Sequence, residues 1–309
     1  MKKYIFYCDN SELFSNFAAI KTFMDMKITK FTALILGLIV MGSLMIVSCS
    51  KTEKTNTLTD ETNNETNHIE FVTVNDSIAG KGFENKISLA YPVKGNAAYI
   101  DSVRMWIYTI LNNNPFVENG EIKIFNGDKN DAKAVAKYYM TKRMPSKKDI
   151  EELISISSAS FGCEDEVKVT FLGKNITSMI NTNYIYTGGA HGSTIVLTSV
   201  FDNNTGKKYV LGDMIEDTAI LKNYIIQGLI KYFEVKTEND MRELLFDREN
   251  IILPQTEPYF TKDGLTFIYQ QYEIAAYAYG MPEITIEWKD CKNILKKTFF
   301  EKIDNDVKK

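Results

Sequence analysis

An uncharged apolar segment near the N-terminus places the strongest constraint on how this chain folds. From Phe31 to Ser48, eighteen residues carry no charge, which is close to the shortest length that spans a bilayer as one helix. The basic stretch Met26–Lys30 precedes this segment, and a polar run rich in Thr, Asn and Glu follows it. A basic stretch followed by an apolar core is typical of a secretory signal. The sequence therefore predicts that residues 1–48 are removed and that the folded body lies downstream.

The end of the apolar segment indicates what holds the mature protein in place. Ser48 is a small residue directly before Cys49, and this ending resembles the lipobox of bacterial lipoproteins. The resemblance implies that Cys49 is acylated and becomes the mature N-terminus, since two or more acyl chains anchor a protein stably. An uncleaved signal anchor is the alternative, and the end of the apolar run at Cys49 argues against it.

Two further residues bear on the start of translation and the location. Acidic residues lie ahead of the basic stretch (Asp9, Glu12 and Asp25) and fit no export signal, so we expect Met26 to be the true start. Ser50 follows the lipidated position, where aspartate favours inner-membrane retention in the Gram-negative lipoprotein pattern. We therefore expect an outer-membrane lipoprotein of a Gram-negative envelope, facing the periplasm or the outside.

The overall composition excludes several classes of protein. Charged residues make up 25% of the 309 residues, hydrophobic residues 44%, and the formal net charge is −4. These values are ordinary for a globular protein and exclude a wholly disordered chain and a multi-span membrane protein. A mildly acidic chain also lacks the basic face of a nucleic-acid binder.

Hydrophobic patterning divides the rest of the chain into blocks of strands and blocks of helices. Helical spacing or capping residues predict helices at 98–112, 132–144, 147–154, 217–235, 238–247 and up to about 303. Alternation and turn residues predict strands at 68–74, 86–93, 166–172, 176–187, 193–201, 259–272 (as a hairpin) and 283–288. This order predicts an α+β fold with antiparallel sheets, helices packed on one face and two closely packed subdomains.

The predicted domain organisation follows the same blocks. The segments are a signal peptide (1–48), a lipidated cysteine with a flexible tether (49–67), an N-terminal α+β domain (68–190), a C-terminal α+β domain (191–303) and a short tail (304–309).

Cysteine usage fits an oxidising compartment. Cys8 lies in the removed segment and Cys49 carries the lipid, which leaves Cys163 and Cys291 as an even pair. An even pair in an exported protein predicts a disulfide. Two buried free thiols are the alternative, because pairing requires close Cα atoms.

Two motifs, taken together, resemble a known family. The first is YIYTGGAHG at 184–192, and the second runs from FTKDGL at 260–265 to YEIAAYAYG at 272–280. In this order they resemble the paired extracellular domains of unknown function in RsiV-type anti-sigma factors, which also accompany PdaC-type peptidoglycan deacetylases. The resemblance covers about residues 69–300, and Ala276 departs from it where the family has proline. It implies an envelope-facing α+β binding module, and in the anti-sigma branch the ligand is lysozyme.

The same motifs supply the candidate partner-binding residues. Glycines and aromatic side chains dominate the set: Tyr186, Gly188, Gly189, His191, Gly192, Tyr272, Tyr277 and Tyr279. Aromatic side chains with polar tips suit protein interfaces and can stack on sugar rings. We expect Tyr277 and Tyr279 to be exposed, while His191 either contacts a partner or only satisfies backbone groups.

Catalytic and metal chemistry are not expected. The deacetylase domain needs an aspartate and two histidines for its metal, and only His191 lies well inside the folded region, so we expect no metal or cofactor. The run Glu164–Glu166 and Asp202 are consistent with a hairpin end and an Asx turn. The predicted function is a non-catalytic envelope lipoprotein that binds a protein such as lysozyme. A structural or glycan-binding lipoprotein, or a carboxylate-dependent hydrolase, is the alternative.

Overall fold

The computed structural model describes residues 57–59, 68–112, 124–156 and 161–307. The predictions for the signal peptide, Met26, Cys49 and Ser50 lie outside these residues. The described residues all belong to one compact unit. Within the described ranges, no helix is both long enough and apolar enough to cross a membrane.

The described part contains ten strands and eight helices. The strands are β1 (Thr57–Thr59), β2 (Glu70–Gly80), β3 (Phe83–Lys94), β4 (Phe161–Leu172), β5 (Ile176–Tyr186), β6 (Ser193–Asp202), β7 (Lys208–Tyr209), β8 (Tyr259–Phe260), β9 (Gly264–Ile268) and β10 (Glu283–Glu287). The helices are α1 (Ala97–Leu111), α2 (Ala132–Lys142), α3 (Lys147–Ile156), α4 (Leu211–Met214), α5 (Thr218–Tyr232), α6 (Glu238–Arg242), α7 (Trp288–Cys291) and α8 (Lys297–Val307).

The strands form two sheets, which confirms the predicted α+β class. The large sheet has the order β1-β2-β3-β4-β5-β6-β7, and the small sheet has the order β10-β9-β8. Every neighbouring pair among these strands is antiparallel except β3 and β4, which run parallel from Phe83↔Phe161 to Leu89↔Val167. Parallel neighbours need a long crossover connection, and here the chain from α1 to α3 provides it.

Helices α1 and α2 cover one face of the large sheet and close the first hydrophobic core. Leu89 and Tyr91 on β3 pack in one cluster with Val103 and Ile107 on α1 and with Tyr139 on α2. The spacing of the two α1 residues places them on one side of that helix. Asn96 caps the start of α1 by accepting a hydrogen bond from its first turn.

The second core lies against the opposite face of the large sheet, at one end only. Ile176 on β5 and Val200 on β6 pack there with Phe260 of the small sheet and Ile225 of α5. A bulge in β4 precedes Phe171, whose ring lies 6.3 Å from that of Phe260. The bulge thus turns a β4 side chain towards this second core.

Two helix boundaries differ from the sequence prediction. We expected Asp128 or Asn130 to cap the helix predicted at 132–144, but Asp131 caps α2 by accepting a hydrogen bond from Ala134 N. Asp128 instead accepts from Asn130 N in a turn just before the helix. The helix predicted at 238–247 ends at Arg242, because the chain then turns back to pair Leu245 with Ala275.

The predicted disulfide is not formed, because Cys163 and Cys291 are both buried and free. The Cys163 thiol lies beside the Arg143 guanidinium, 3.9 Å from its Nη1 atom, and the Cys291 thiol donates to Ile286 O at 3.4 Å. The two sulfur atoms therefore occupy different environments, one beside the first core and one in the second. The sequence could not place them, because cysteine count carries no information on distance.

Candidate functional site

The glycine-rich motif forms the loop between β5 and β6. Gly188 and Gly189 have φ angles of +94° and +96°, which glycine adopts without steric cost. The Tyr186 hydroxyl donates to Gly189 O at 3.0 Å, and the Tyr186 ring stacks on Phe161 with 6.2 Å between centroids. These contacts fix the loop in one conformation. Tyr186, Gly188 and Gly189 therefore shape the backbone that carries the rest of the motif.

An exposed histidine at the end of this loop meets two tyrosines from the second motif. The His191 ring stacks on the Tyr277 ring, with 3.7 Å between centroids and 18° between planes. The Tyr272 hydroxyl lies 3.4 Å from His191 Nε2. His191 Nδ1 lies 2.8 Å from Gly192 O, and the Tyr277 hydroxyl donates to the same carbonyl at 3.2 Å. We call His191, Tyr272 and Tyr277 the His–Tyr cluster.

Gly192 lets a further tyrosine approach the cluster. A Cβ at this buried glycine would overlap the Tyr184 ring as it lies here, so the ring rests directly on the glycine backbone. Tyr184 is itself 41% exposed. The cluster is therefore continuous with an exposed aromatic ring on the face of β5.

Tyr272 adopts an unusual backbone conformation. Its φ angle is +64°, a left-handed value that costs free energy for a residue with a large side chain. Its side chain is 54% exposed, so burial of the ring does not compensate for that cost. Strain of this kind concentrates at functional sites.

Two glutamines attach the Tyr272 segment to the edge of the large sheet. Gln270 Oε1 accepts a hydrogen bond from Val196 N at 3.0 Å, and Gln271 Oε1 accepts from Thr194 N at 2.9 Å. These N–H groups lie on β6, beyond the part of that strand that β7 covers. The glutamine amides thus take the place of a neighbouring strand and bring the second motif against the first. No sequence pattern marked these two residues, since glutamine carries no strong turn or edge preference.

Tyr279 belongs to a neighbouring aromatic group and not to the His–Tyr cluster. A 3₁₀ turn, Tyr277–Tyr279, carries the two tyrosines to opposite sides. The Tyr279 ring packs edge-on against Phe233 at 5.4 Å, and its carbonyl accepts a hydrogen bond from the Tyr232 hydroxyl at 2.8 Å. Tyr279 is 40% exposed, whereas Tyr277 is half-buried under His191.

The Asp202 carboxylate lies in a network of hydrogen bonds that holds a turn in place. Its carboxylate accepts hydrogen bonds from Thr205 N at 2.8 Å, from the Tyr209 hydroxyl at 2.7 Å and from the Lys302 ammonium. Burial raises the pKa of Asp202, but these donors outweigh burial and hold the pKa at about 2. The backbone bonds form the Asx turn that the sequence indicated, and Lys302 attaches α8 to that turn.

The three acidic residues at 164–166 are not gathered at one site. They lie within β4, so their side chains alternate between the two faces of the sheet. Asp165 is buried and forms an ion pair with Arg143, whereas Glu166 is paired with Lys168 at 2.6 Å on the other face. The expected hairpin end is therefore the middle of a sheet, because β4 begins several residues earlier than its apolar alternation suggested.

One small recess lies beside the second core. It holds about 80 Å³ and is lined by residues 253–258 together with Leu211 and Phe267, whereas pockets for small molecules measure roughly 300–1,000 Å³. Glu257 lines it and accepts a hydrogen bond from Leu211 N at 2.6 Å. Burial raises the pKa of Glu257. In the described ranges, no three His, Cys, Asp or Glu side chains are grouped so that they could hold a metal ion.

Part of this chain matches a known protein family. Residues 199–289 match DUF3298, a protein family of unknown function. The DUF3298 match includes the Tyr272 and Tyr277 segment, while His191 lies just before its start.

A curated relative and two solved structures extend the comparison. The chain is 24% identical over 147 residues to the peptidoglycan-N-acetylmuramic acid deacetylase PdaC of Bacillus subtilis (strain 168), and the match covers 46% of this chain and 31% of that enzyme. A DUF3298 family member from Bacteroides fragilis NCTC 9343 has a TM-score of 0.56 at 22% identity, covering 82% of this chain and 99% of that one. A DUF3298 family protein from Pseudomonas aeruginosa PAO1 has a TM-score of 0.47 at 14% identity, covering 82% and 96%. The Bacteroides structure supports the α+β fold, and the chain spans about a third of the deacetylase.

Proposed function

We propose that this protein is a non-catalytic lipoprotein of the cell envelope that binds a muramidase through the His–Tyr cluster. The observation that carries the proposal is the meeting of the two motifs at an exposed, strained tyrosine. Tyr272 keeps a left-handed backbone conformation while its ring faces solvent. A free-energy cost that burial of the Tyr272 ring does not offset in the isolated chain is consistent with a contact made in a complex.

The chemistry of the cluster suits a protein partner. Tyrosine contributes a large apolar ring and a hydroxyl at low entropic cost, and it is common among the residues that dominate binding energy. His191 holds the Tyr277 ring in place, so the surface is organised before binding. Pre-organisation lowers the entropic cost of association.

Three observations favour a muramidase over other partners. The motifs that form the cluster resemble the lysozyme-binding domains of RsiV-type proteins, and a curated relative is named as a peptidoglycan deacetylase. The chain also has a net charge of −4, which favours encounter with a basic enzyme such as lysozyme.

Calorimetric titration of the full chain in detergent with lysozyme tests this proposal. We expect saturable binding that weakens from low to physiological salt, because the encounter is between opposite charges. We expect Tyr272→Ala and His191→Ala each to weaken lysozyme binding by about tenfold or more, because each removes one side chain that anchors the interface.

Met105→Ala is the matched control, since Met105 is 47% exposed and lies on α1, outside the cluster. It should leave lysozyme binding unchanged. If all three variants bind lysozyme as the unaltered chain does, the contact lies elsewhere on the protein. If the folded protein shows no heat of binding to lysozyme at either salt concentration, the muramidase proposal is wrong.

A further inference from the structure

Among the described residues, the face of the large sheet opposite α1 and α2 is covered by the second core at one end and by the small sheet as far as Val196 on β6. The second core packs against the end of β5 and β6 that contains Ile176 and Val200. Towards the other end the same face carries polar, half-buried or exposed side chains. Two rows run across neighbouring strands: Ser77, Lys86, Glu164, Tyr184 and Thr194 in one, and Asn75, Ser88, Glu166 and Thr182 in the other. The second row ends at Val196 on β6, which is buried against Tyr259 and Ile268 of the small sheet.

The charges on this open face largely cancel. Lys86 is paired with Glu84 at 2.8 Å, and Lys168 with Glu166 at 2.6 Å. Glu164 lies opposite Lys86 in the strand register. Two lysines and three glutamates leave little net charge, so a strongly charged partner finds no complement here, whereas a neutral ligand rich in hydroxyl groups does.

An aromatic ring lies at the boundary between this face and the His–Tyr cluster. Tyr184 is 41% exposed and stands between Glu164 and Thr194 in its row. Its ring rests on Gly192, whose carbonyl accepts the Tyr277 hydroxyl. Aromatic side chains therefore border the open face, at the place where Gln270 and Gln271 accept hydrogen bonds from β6.

We propose that the open face binds a neutral glycan strand, which lies across β3 to β5 with one sugar ring against Tyr184. Hydroxyl, amide and paired carboxylate groups in the two rows supply hydrogen bonds, and the tyrosine ring supplies the apolar contact that orients a sugar. This inference goes beyond the muramidase proposal and does not depend on it, because the rows on β3 and β4 lie outside the His–Tyr cluster.

Calorimetric titration of the full chain in detergent with chitohexaose and cellohexaose, two neutral oligosaccharides, tests the inference. We expect at least one of them to bind, and a polygalacturonate oligomer, which is anionic, to bind at least about tenfold more weakly because the face offers no net positive charge. Tyr184→Ser removes the stacking ring, and Ser88→Arg fills the middle of the face. Each is expected to weaken binding by about tenfold or more.

Thr109→Arg is the matched control, because Thr109 is exposed on α1, on the helical side of the sheet. It should bind the oligosaccharide as the unaltered chain does. Thermal unfolding confirms that each variant folds, and Thr182→Arg replaces Ser88→Arg if that variant does not.

The outcomes separate the two proposals. Loss of oligosaccharide binding in Ser88→Arg with lysozyme binding retained supports a glycan face distinct from the cluster. Absence of binding by both neutral oligosaccharides, equal affinity in the variants and the control, or a preference for the anionic oligomer overturns the inference, whatever lysozyme does.

Discussion

At the scale of single residues, Tyr272 shows how a local conformation indicates function. We predict that Tyr272→Gly leaves the free energy of unfolding unchanged or raises it by about 1 kcal/mol, although it deletes a large side chain. Relief of the left-handed strain, about 1–2 kcal/mol, offsets the entropy that glycine adds to the unfolded chain. Urea denaturation measures the change, and calorimetry should show that lysozyme binding falls in the same variant.

Tyr279→Gly is the control for this prediction. Tyr279 is also exposed, but it is not among the residues with positive φ, and it packs on Phe233. Its replacement should lower stability by about 1–2 kcal/mol. An equal loss of stability in both variants would show that Tyr272 carries no strain.

Sequence patterns predicted part of the site at this scale. The glycines before and after His191 indicated a tight loop, and glycine conformation is a property of the residue itself. The positive φ of Tyr272 had no such signal, because tyrosine seldom adopts that conformation. The stack of His191 on Tyr277 depends on how segments more than eighty residues apart are brought together, which no local pattern specifies.

At the scale of elements, Arg143 joins the end of α1 to β4. Its guanidinium donates to Leu111 O at 2.9 Å and to Ile110 O at 3.1 Å, and it forms an ion pair with Asp165. Only 2% of the arginine is exposed. The side chain thus satisfies terminal carbonyls of a buried helix and neutralises a buried carboxylate.

We predict that Arg143→Met lowers the free energy of unfolding by roughly 3–5 kcal/mol, because it leaves Asp165 buried and uncompensated. The double variant Arg143→Met with Asp165→Asn should lose less than the sum of the two single losses. Urea denaturation of the four proteins measures this coupling. Strict additivity would show that the pair acts as two independent groups.

Hydrophobic periodicity predicted most of the helices and strands, but it did not predict which strands pair with each other. Alternation predicted β2, β3, β5 and β6, and the helical spacing of Val103 and Ile107 predicted α1. The parallel contact of β3 with β4 joins strands separated by three helices, so it depends on the whole chain. The start of α2 at Ala132 was predicted, but its cap was not, because Asp128, Asn130 and Asp131 are all good capping residues.

At the scale of the whole molecule, α8 is fastened to the end of the β6 strand. Lys302 binds Asp202 and the Tyr209 hydroxyl, and Asn175 Nδ2 donates to Lys302 O at 2.8 Å. The ion pair between Lys302 and the buried Asp202 carboxylate therefore holds α8 against the second core. The predicted division into domains at 190/191 stays a prediction, although β5 and β6 pair directly across it.

We predict that this attachment makes the protein sensitive to acid. The pKa of Asp202 is about 2 in the folded protein against an ordinary value of 3.8. A lowered pKa means that the stabilisation is present above about pH 4 and is lost as the pH falls towards 2, a change of roughly 2 kcal/mol. Asp202→Asn should remove this part of the pH dependence in urea denaturation.

Asp101→Asn is the control, since Asp101 is exposed on α1. This variant should keep the acid sensitivity of the unaltered protein. If Asp202→Asn loses stability between pH 4 and pH 2 as steeply as the control does, the acid sensitivity comes from other carboxylates.

The position of β1 at the outer edge of the large sheet bears on how the proposed lipid anchor would hold the folded body. Thr57 follows Cys49 by eight residues, a reach of at most about 29 Å even when fully extended. Five strand spacings, about 24 Å, separate β1 from β6, where the His–Tyr cluster is attached. With Cys49 acylated, as proposed, this reach would exceed the distance from β1 to β6, so the tether alone would not fix which edge of the sheet faces the membrane.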